Sequence, residues 1–141
     1  MTFEISPLED ADIPGAIALW QACDQLRPWN DPRADIAQAR NSGSAQFFVG
    51  KIGRDIVAST LAGDDGHRGW LYYVSVHPNH RGLGFGRQIV AAAENWLKSR
   101  GVAKTQLMIV PTMRACVDSM RPWAMANKRV SRWPAGLMAA P

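Results

Sequence analysis

Cysteine is scarce in this chain: Cys23 and Cys116 are the only two among 141 residues. Thiols so far apart match neither a zinc-ligand spacing nor a disulfide framework, so two reduced thiols in a cytoplasmic protein are expected, with no metal. Long apolar runs are missing too. The stretch from Ile89 to Ala93 is five residues, far short of a membrane span. The opening Met1-Thr2-Phe3-Glu4-Ile5 has no basic region followed by an apolar one, so neither a secretory leader nor a membrane partner is expected. Internal repeats and linkers are absent. What is present, 47% hydrophobic and 20% charged residues, is the make-up of one ordinary globular domain with its own core.

The formal net charge of +4 raises the question of nucleic acid. Residues 1–110 carry 11 Lys/Arg and 11 Asp/Glu, a balance of zero. The excess lies wholly in residues 111–141, where Arg114, Arg121, Lys128, Arg129 and Arg132 face Asp118 alone. A nucleic-acid surface is built into the folded domain with aromatics among its basic residues. Basicity confined to one terminal segment argues against such a partner.

Periodicity sets out the elements. Phe3-Glu4-Ile5 alternates as a short strand. Asp10 or Asp12 is placed to cap a helix with Pro14 in its first turn, its apolar side being Ile13, Ile17 and Trp20 flanked by Ala16, Leu19 and Cys23. The prolines of Leu26–Pro32 end it, and a second helix is expected from about Pro32 to Asn41, closed by Ser42-Gly43. Gln46–Ile52 and Ile56–Leu61 read as a hairpin turning at Gly53-Arg54-Asp55. Gly63–Gly69 is a second turn, and Trp70–Val76 is the strongest strand, being aromatic and β-branched. An amphipathic helix is expected from Gly84 to Ser99 and a last strand from Thr105 to Val110. The order β-α-α-β-β-β-α-β predicts an α/β fold with a mixed sheet rather than a doubly wound parallel one.

The connection from Val76 to the long helix carries the chemistry. In Arg81-Gly82-Leu83-Gly84-Phe85-Gly86-Arg87, glycines strip side chains from the helix entrance. A diphosphate can then reach bare backbone N–H groups and the positive end of the helix dipole, with Arg81 and Arg87 adding full charges. There is no Gly-Lys-Ser/Thr, which excludes a Walker loop. The spacing G-x-G-x-G after a hairpin fits a dinucleotide fold poorly.

Val76-His77-Pro78-x-x-Arg81-Gly82-x-Gly84-x-Gly86 resembles motif A of the GNAT acetyltransferases, Arg/Gln-x-x-Gly-x-Gly/Ala, and the likeness covers roughly residues 3–110. It implies a GNAT fold binding acetyl-CoA. Arg81, Gly82, Leu83, Gly84, Phe85, Gly86 and Arg87 would hold the pyrophosphate. The strand from Tyr72 to Val76, through Val74 and Val76, would splay from its neighbour and hydrogen-bond the pantetheine arm. Cys23-Asp24-x-Leu26-Arg27-Pro28-Trp29-Asn30-Asp31-Pro32 and Asp65-Gly66-His67-Arg68-Gly69 resemble a small bacterial subgroup, the YpeA-like proteins. The implied activity is direct acetyl transfer from acetyl-CoA to a primary amine by a monomer or homodimer.

The family's usual glutamate base is missing from the central strands. Asp65 and His67 are the substitutes, acting directly or through water, against plain roles as turn and loop residues. Tyr72 and Tyr73 should point to opposite faces of their strand, one into the core and one lining the cleft, and Tyr73 is taken as the catalytic candidate beside Asp65 and His67. Arg27, Trp29, Asn30 and Asp31 fall where the family places its acceptor loop; the plain reading makes Trp29 a core plug. Cys23 has no evident base and is expected to pack rather than attack. The alternative function is a GNAT-like module that binds acyl-CoA without turning it over.

After Val110 the resemblance stops. The family continues with Asn-x-x-Ala-x-x-Phe-Tyr-x-x-x-Gly-Phe/Tyr on a helix bearing its tyrosine acid. Here stands Pro111–Ala124, with Pro122 set against a helix. Codons for Pro111 onward, read from each third base, can spell an in-register Phe-Tyr and Gly-Tyr. The last glycine is forced, because the Trp123 codon ends in G and that of Ala124 begins GC. The chain is therefore read as a core over 1–110 and an atypical basic segment over 111–141, for which a frameshift near Val110–Pro111 is the expected origin. A tail real as written would instead have to cover the sheet edge and coenzyme cleft.

Overall fold

The computed structural model describes residues 2–102, 104–109 and 129–132. Its elements are β1 (Phe3–Pro7), α1 (Ile13–Ala22), α2 (Pro32–Ser42), β2 (Ala45–Ile52), β3 (Asp55–Asp64), β4 (Gly69–Val76), α3 (Phe85–Ser99), β5 (Thr105–Ile109) and β6 (Arg129–Arg132). The six strands lie in sequence order in one sheet. β1 to β4 are antiparallel neighbours. β5 and β6 each join parallel. This is the mixed α/β sheet expected, lengthened at one edge by β6. The expectations that concern Pro111–Ala124 lie outside the described residues.

Both helix starts show how side chains fix the layers. Asp31 caps α2, its Oδ1 accepting from the backbone N–H groups of Arg33 (3.0 Å) and Ala34 (3.4 Å) ahead of Pro32. At α1 the expected aspartate cap is absent: Asp12 sits at the N-cap but makes no cap hydrogen bond. Its carboxylate instead accepts from the N–H of Glu9 at 2.9 Å and pairs with Lys51 at 2.6 Å, which ties the entrance of α1 to β2. The reason is a 3-10 turn over Asp10–Asp12, which turns the side chain back on the chain before it.

Two cores sandwich the sheet. On one face Ala16, Leu19 and Trp20 of α1 and Ile36 and Ala39 of α2 pack with Phe47 and Val49. On the other, Ile89, Val90, Ala93 and Leu97 of α3 cover Ala58, Ala62, Leu71, Val74 and Val76. This follows from the 3.6-residue spacing on each helix and the alternation on each strand. Gly69 lets α3 come close, since a Cβ there would stand 2.6 Å from Leu97 Cδ1.

Candidate active site

The site begins at a bulge in β4. Ser59 pairs with Ser75 and Leu61 with Tyr72, so Tyr73 and Val74 together oppose Thr60. Tyr73 takes φ +53°, a left-handed conformation costly for a residue with a Cβ. Its carbonyl accepts from Ser59 Oγ at 2.8 Å and Ser75 Oγ at 3.3 Å. Ser59 Oγ in turn accepts from the Trp20 indole N–H at 2.9 Å. The bulge overturns the expectation that the two tyrosines point to opposite faces. Tyr72 pairs with Leu61, which packs on the α1–α2 core, and Tyr73 packs on that same core. The extra residue breaks the alternation that the expectation relied on.

From Leu71, just ahead of the bulge, β4 parts from β5 while keeping β3 on its other side. Among the described residues β5 pairs with Gly69, Trp70 and Leu71 of β4 and no further, while its end goes on to pair with β6. The N–H of His77 turns to Val57 of β3 at 2.8 Å. The carbonyls of Val74 and Val76 therefore face the diverging edge, where side chains reach them. Gln25 Nε2 donates to Val74 O at 2.9 Å, and Cys23 Sγ (3.3 Å) and Arg81 Nε (3.2 Å) donate to Val76 O.

The edge runs into the glycine loop. A 3-10 turn over Pro78–His80 is capped by His77, whose Nδ1 accepts from the N–H of Asn79 at 3.1 Å. Gly82 and Gly84 follow at φ +81° and +83°, where side chains are disfavoured, and a Cβ on either would meet no atom within 4 Å. Gly84 precedes α3 without capping it, and no acidic residue stands in the first turn. The leading N–H groups of α3 thus keep their donor capacity beside the exposed Arg81 and Arg87. Phe85 stacks on Phe3, centroids 4.1 Å apart, and Gly86 admits Val76 at 3.3 Å from where its Cβ would be. Leu83 is 60% exposed on the loop's tip.

The substitutes for a base receive unequal surroundings. Asp65 Oδ1 accepts from the N–H groups of His67 (2.9 Å) and Arg68 (2.7 Å), and Oδ2 accepts from the Trp70 indole at 2.9 Å. The Arg68 amide, the Trp70 indole and the His67 amide hold its carboxyl down at about 2. That carboxylate organises its own turn and is a weak proton acceptor. His67 is exposed beside it. The Tyr73 hydroxyl donates to Asp35 Oδ2 at 2.6 Å, and burial followed by the Asp35 carboxylate pushes its pKa above the usual tyrosine range. Burial also pushes the Cys23 thiol up despite Arg81, in keeping with a packing role.

In the α1–α2 loop, Arg27 NH1 donates to the carbonyls of Asp24 (2.8 Å) and Leu26 (2.9 Å), and the N–H of Asn30 donates to Arg27 O at 3.1 Å. Asp31 is spent on its cap. Trp29 is 44% exposed, which rules out the core plug. Sequence reasoning missed Gln25, Ser59 and Asp35. Their partners lie 49, 14 and 38 residues away, and no local pattern marks them.

Among the described residues no group of three or more His, Cys, Asp and Glu is arranged to hold a metal ion. None of their helices is long and apolar enough to cross a membrane.

Comparison with known proteins places this geometry. Residues 15–116 match the acetyltransferase (GNAT) family. Acetyltransferases of Yersinia enterocolitica and Pectobacterium atrosepticum are each 42% identical over 106 residues, 75% of this chain and 75% of theirs. Among solved structures, AAC(6')-Iy in complex with the bisubstrate analogue CoA-S-monomethyl-acetylneamine superposes with TM-score 0.76 at 16% identity, covering 95% of this chain and 96% of that one. The ribosomal-protein-S18-alanine N-acetyltransferase from Escherichia coli gives TM-score 0.69 at 20% identity, over 86% and 76%. A predicted acetyltransferase with acetyl-CoA from Clostridium acetobutylicum gives 0.67 at 16%, over 86% and 88%. These likenesses establish the fold, and the family match and the bacterial relatives establish the rest: the chain belongs to the GNAT family of acetyltransferases.

Proposed function

We propose that the protein moves the acetyl group of acetyl-CoA directly to a primary amine. The observation that carries this reading is the parting of β4 from β5 beyond Leu71, which opens a backbone edge leading into the glycine-rich start of α3. The loop fits a diphosphate: open space stands where the Cβ atoms of Gly82 and Gly84 would be, the helix start is uncapped, and two arginines flank it. Arg81 to Arg87 would hold the pyrophosphate, and the backbone of Val74 and Val76 the pantetheine arm. Bound acetyl-CoA supplies an activated thioester.

The chain's own residues orient the amine and take up its proton. Because the Asp65 carboxyl lies at about 2, we assign it the ordering of the His67 turn and assign His67 the proton, directly or through water. Tyr73, tied to Asp35, positions the bulge. Arg27, Trp29, Asn30 and Asp31 border the acceptor's approach. The same weakness of Asp65 and Tyr73 as proton carriers favours a second reading, an acyl-CoA-binding module without turnover.

Thiol release from acetyl-CoA across peptide N-termini, lysine peptides, amino sugars and polyamines, run beside a binding titration, separates them. Release supports transfer, and binding alone supports the module. No binding overturns both. In an active protein His67→Gln should remove the acid limb of the pH profile. A limb that survives this change would return the base to Asp65.

We also assign the chain to the YpeA-like subgroup, on its Cys23–Pro32 and Asp65–Gly69 segments, and read the residues after Val110 as a frameshift product. Coding DNA whose third bases from Pro111 fail to spell Phe-Tyr in register would refute the frameshift.

A further inference from the structure

Two non-glycine residues among those described have positive φ, Asp24 at +55° and Tyr73 at +53°. They lie 49 positions apart, and each immediately precedes one partner of a single hydrogen bond, Gln25 Nε2 to Val74 O. Left-handed backbone at residues with a Cβ persists only where the surroundings impose it. At Asp24 the imposition is a helix-closing motif: the N–H of Asp24 donates to Gln21 O at 3.1 Å and that of Gln25 to Trp20 O at 2.9 Å. Glycine is the usual residue there, and aspartate stands in its place. At Tyr73 it is the bulge, pinned by Ser59 and Ser75. One deviation sends the Gln25 amide off the end of α1 toward the sheet. The other turns the Val74 carbonyl to the edge that β5 has left. The half-buried side chain thus closes an edge that our proposed function gives to the pantetheine arm.

We propose that Gln25 is a latch on that edge. Its amide holds the Val74 carbonyl in the free protein and yields it to the coenzyme on binding, which releases the loop carrying Arg27 to Asp31 toward the acceptor. This rests on the acetyl-CoA reading and goes beyond it. It ties coenzyme entry to the acceptor loop through one exchange of hydrogen-bond donors, and Gln25 serves as a positioning residue without reacting itself.

The test uses coenzyme A with the full chain and the variants Gln25→Ala and Gln25→Glu, neither of which can donate to Val74. Both should bind coenzyme A about 2- to 10-fold tighter, the span of a net hydrogen bond no longer broken on binding. In the parent chain, hydrogen exchange over residues 23–31 should speed up when coenzyme A is added. In the variants it should be fast from the start. Equal or weaker binding by the variants, or unchanged or slower exchange in the parent on binding, overturns the latch and leaves the coenzyme reading intact. Failure of all three chains to bind coenzyme A overturns that reading and the latch together.

Discussion

The Tyr73 hydroxyl and the Asp35 carboxylate meet at 2.6 Å, joining the bulge of β4 to the first turn of α2. Burial and this acid keep the phenol protonated beyond its ordinary value of 10.0. A raised folded-state value means that the unfolded chain loses this proton first, so the contribution is intact below about pH 10 and fades as the pH rises above it. Tyr73→Phe should cost about 1 kcal/mol at neutral pH. It should also flatten the alkaline loss of stability. Urea melts at pH 7 and above pH 10 check this; a variant that declines as steeply as the parent would refute it.

Ser59 is a hub with no exposed surface, accepting from Trp20 and donating to the carbonyl of Tyr73. Ser59→Ala strands a buried indole N–H and removes a support from the bulge, with an expected cost of about 1–3 kcal/mol. Ser75→Ala should cost less, because its own bond to the same carbonyl is longer, at 3.3 Å. Denaturant midpoints of the two variants decide the order, and a larger loss at Ser75 would contradict it.

At the start of α1, burial pushes the Asp12 carboxyl up, but the Lys51 ammonium, the Glu9 amide and Arg40 outweigh it, and the net value falls below 3.8. A lowered value gives stability that is present above pH 3.8 and lost as pH falls through the folded-state value. Asp12→Asn should cost about 1–3 kcal/mol at pH 7, since Lys51 loses a partner at a half-buried site. The gap to the parent should shrink below pH 3.8. A gap that does not change with pH would show that the ion pair is not its source.

Gly84 sits at φ +83° with open space around its missing side chain. Gly84→Ala should therefore cost only the left-handed backbone term, roughly 1–2 kcal/mol. It should weaken coenzyme A binding by more than tenfold, because the methyl group would enter the proposed phosphate cradle. Thermal midpoints with and without coenzyme A separate the two effects. A variant that is stabilised by coenzyme A as strongly as the parent would remove Gly84 from the site.

Much of this protein is written locally in its chain. The 3.6-residue spacing of Ile89, Ala93 and Leu97, the proline and glycine bracketing α2, and the alternation in the central strands each act within a few residues, so sequence alone determined the helices, the hairpin and the mixed sheet. The bare backbone of the glycine loop was equally legible, because a chain at φ +81° and +83° calls for glycines at set places. Tertiary structure decided what depends on pairing between distant segments. A single extra residue in β4 put Tyr72 and Tyr73 on one face, a turn consumed the carboxylate of Asp65, and α1 ended so that Gln25 reached Val74. Register and burial are properties of the whole sheet, and no stretch of sequence contains them.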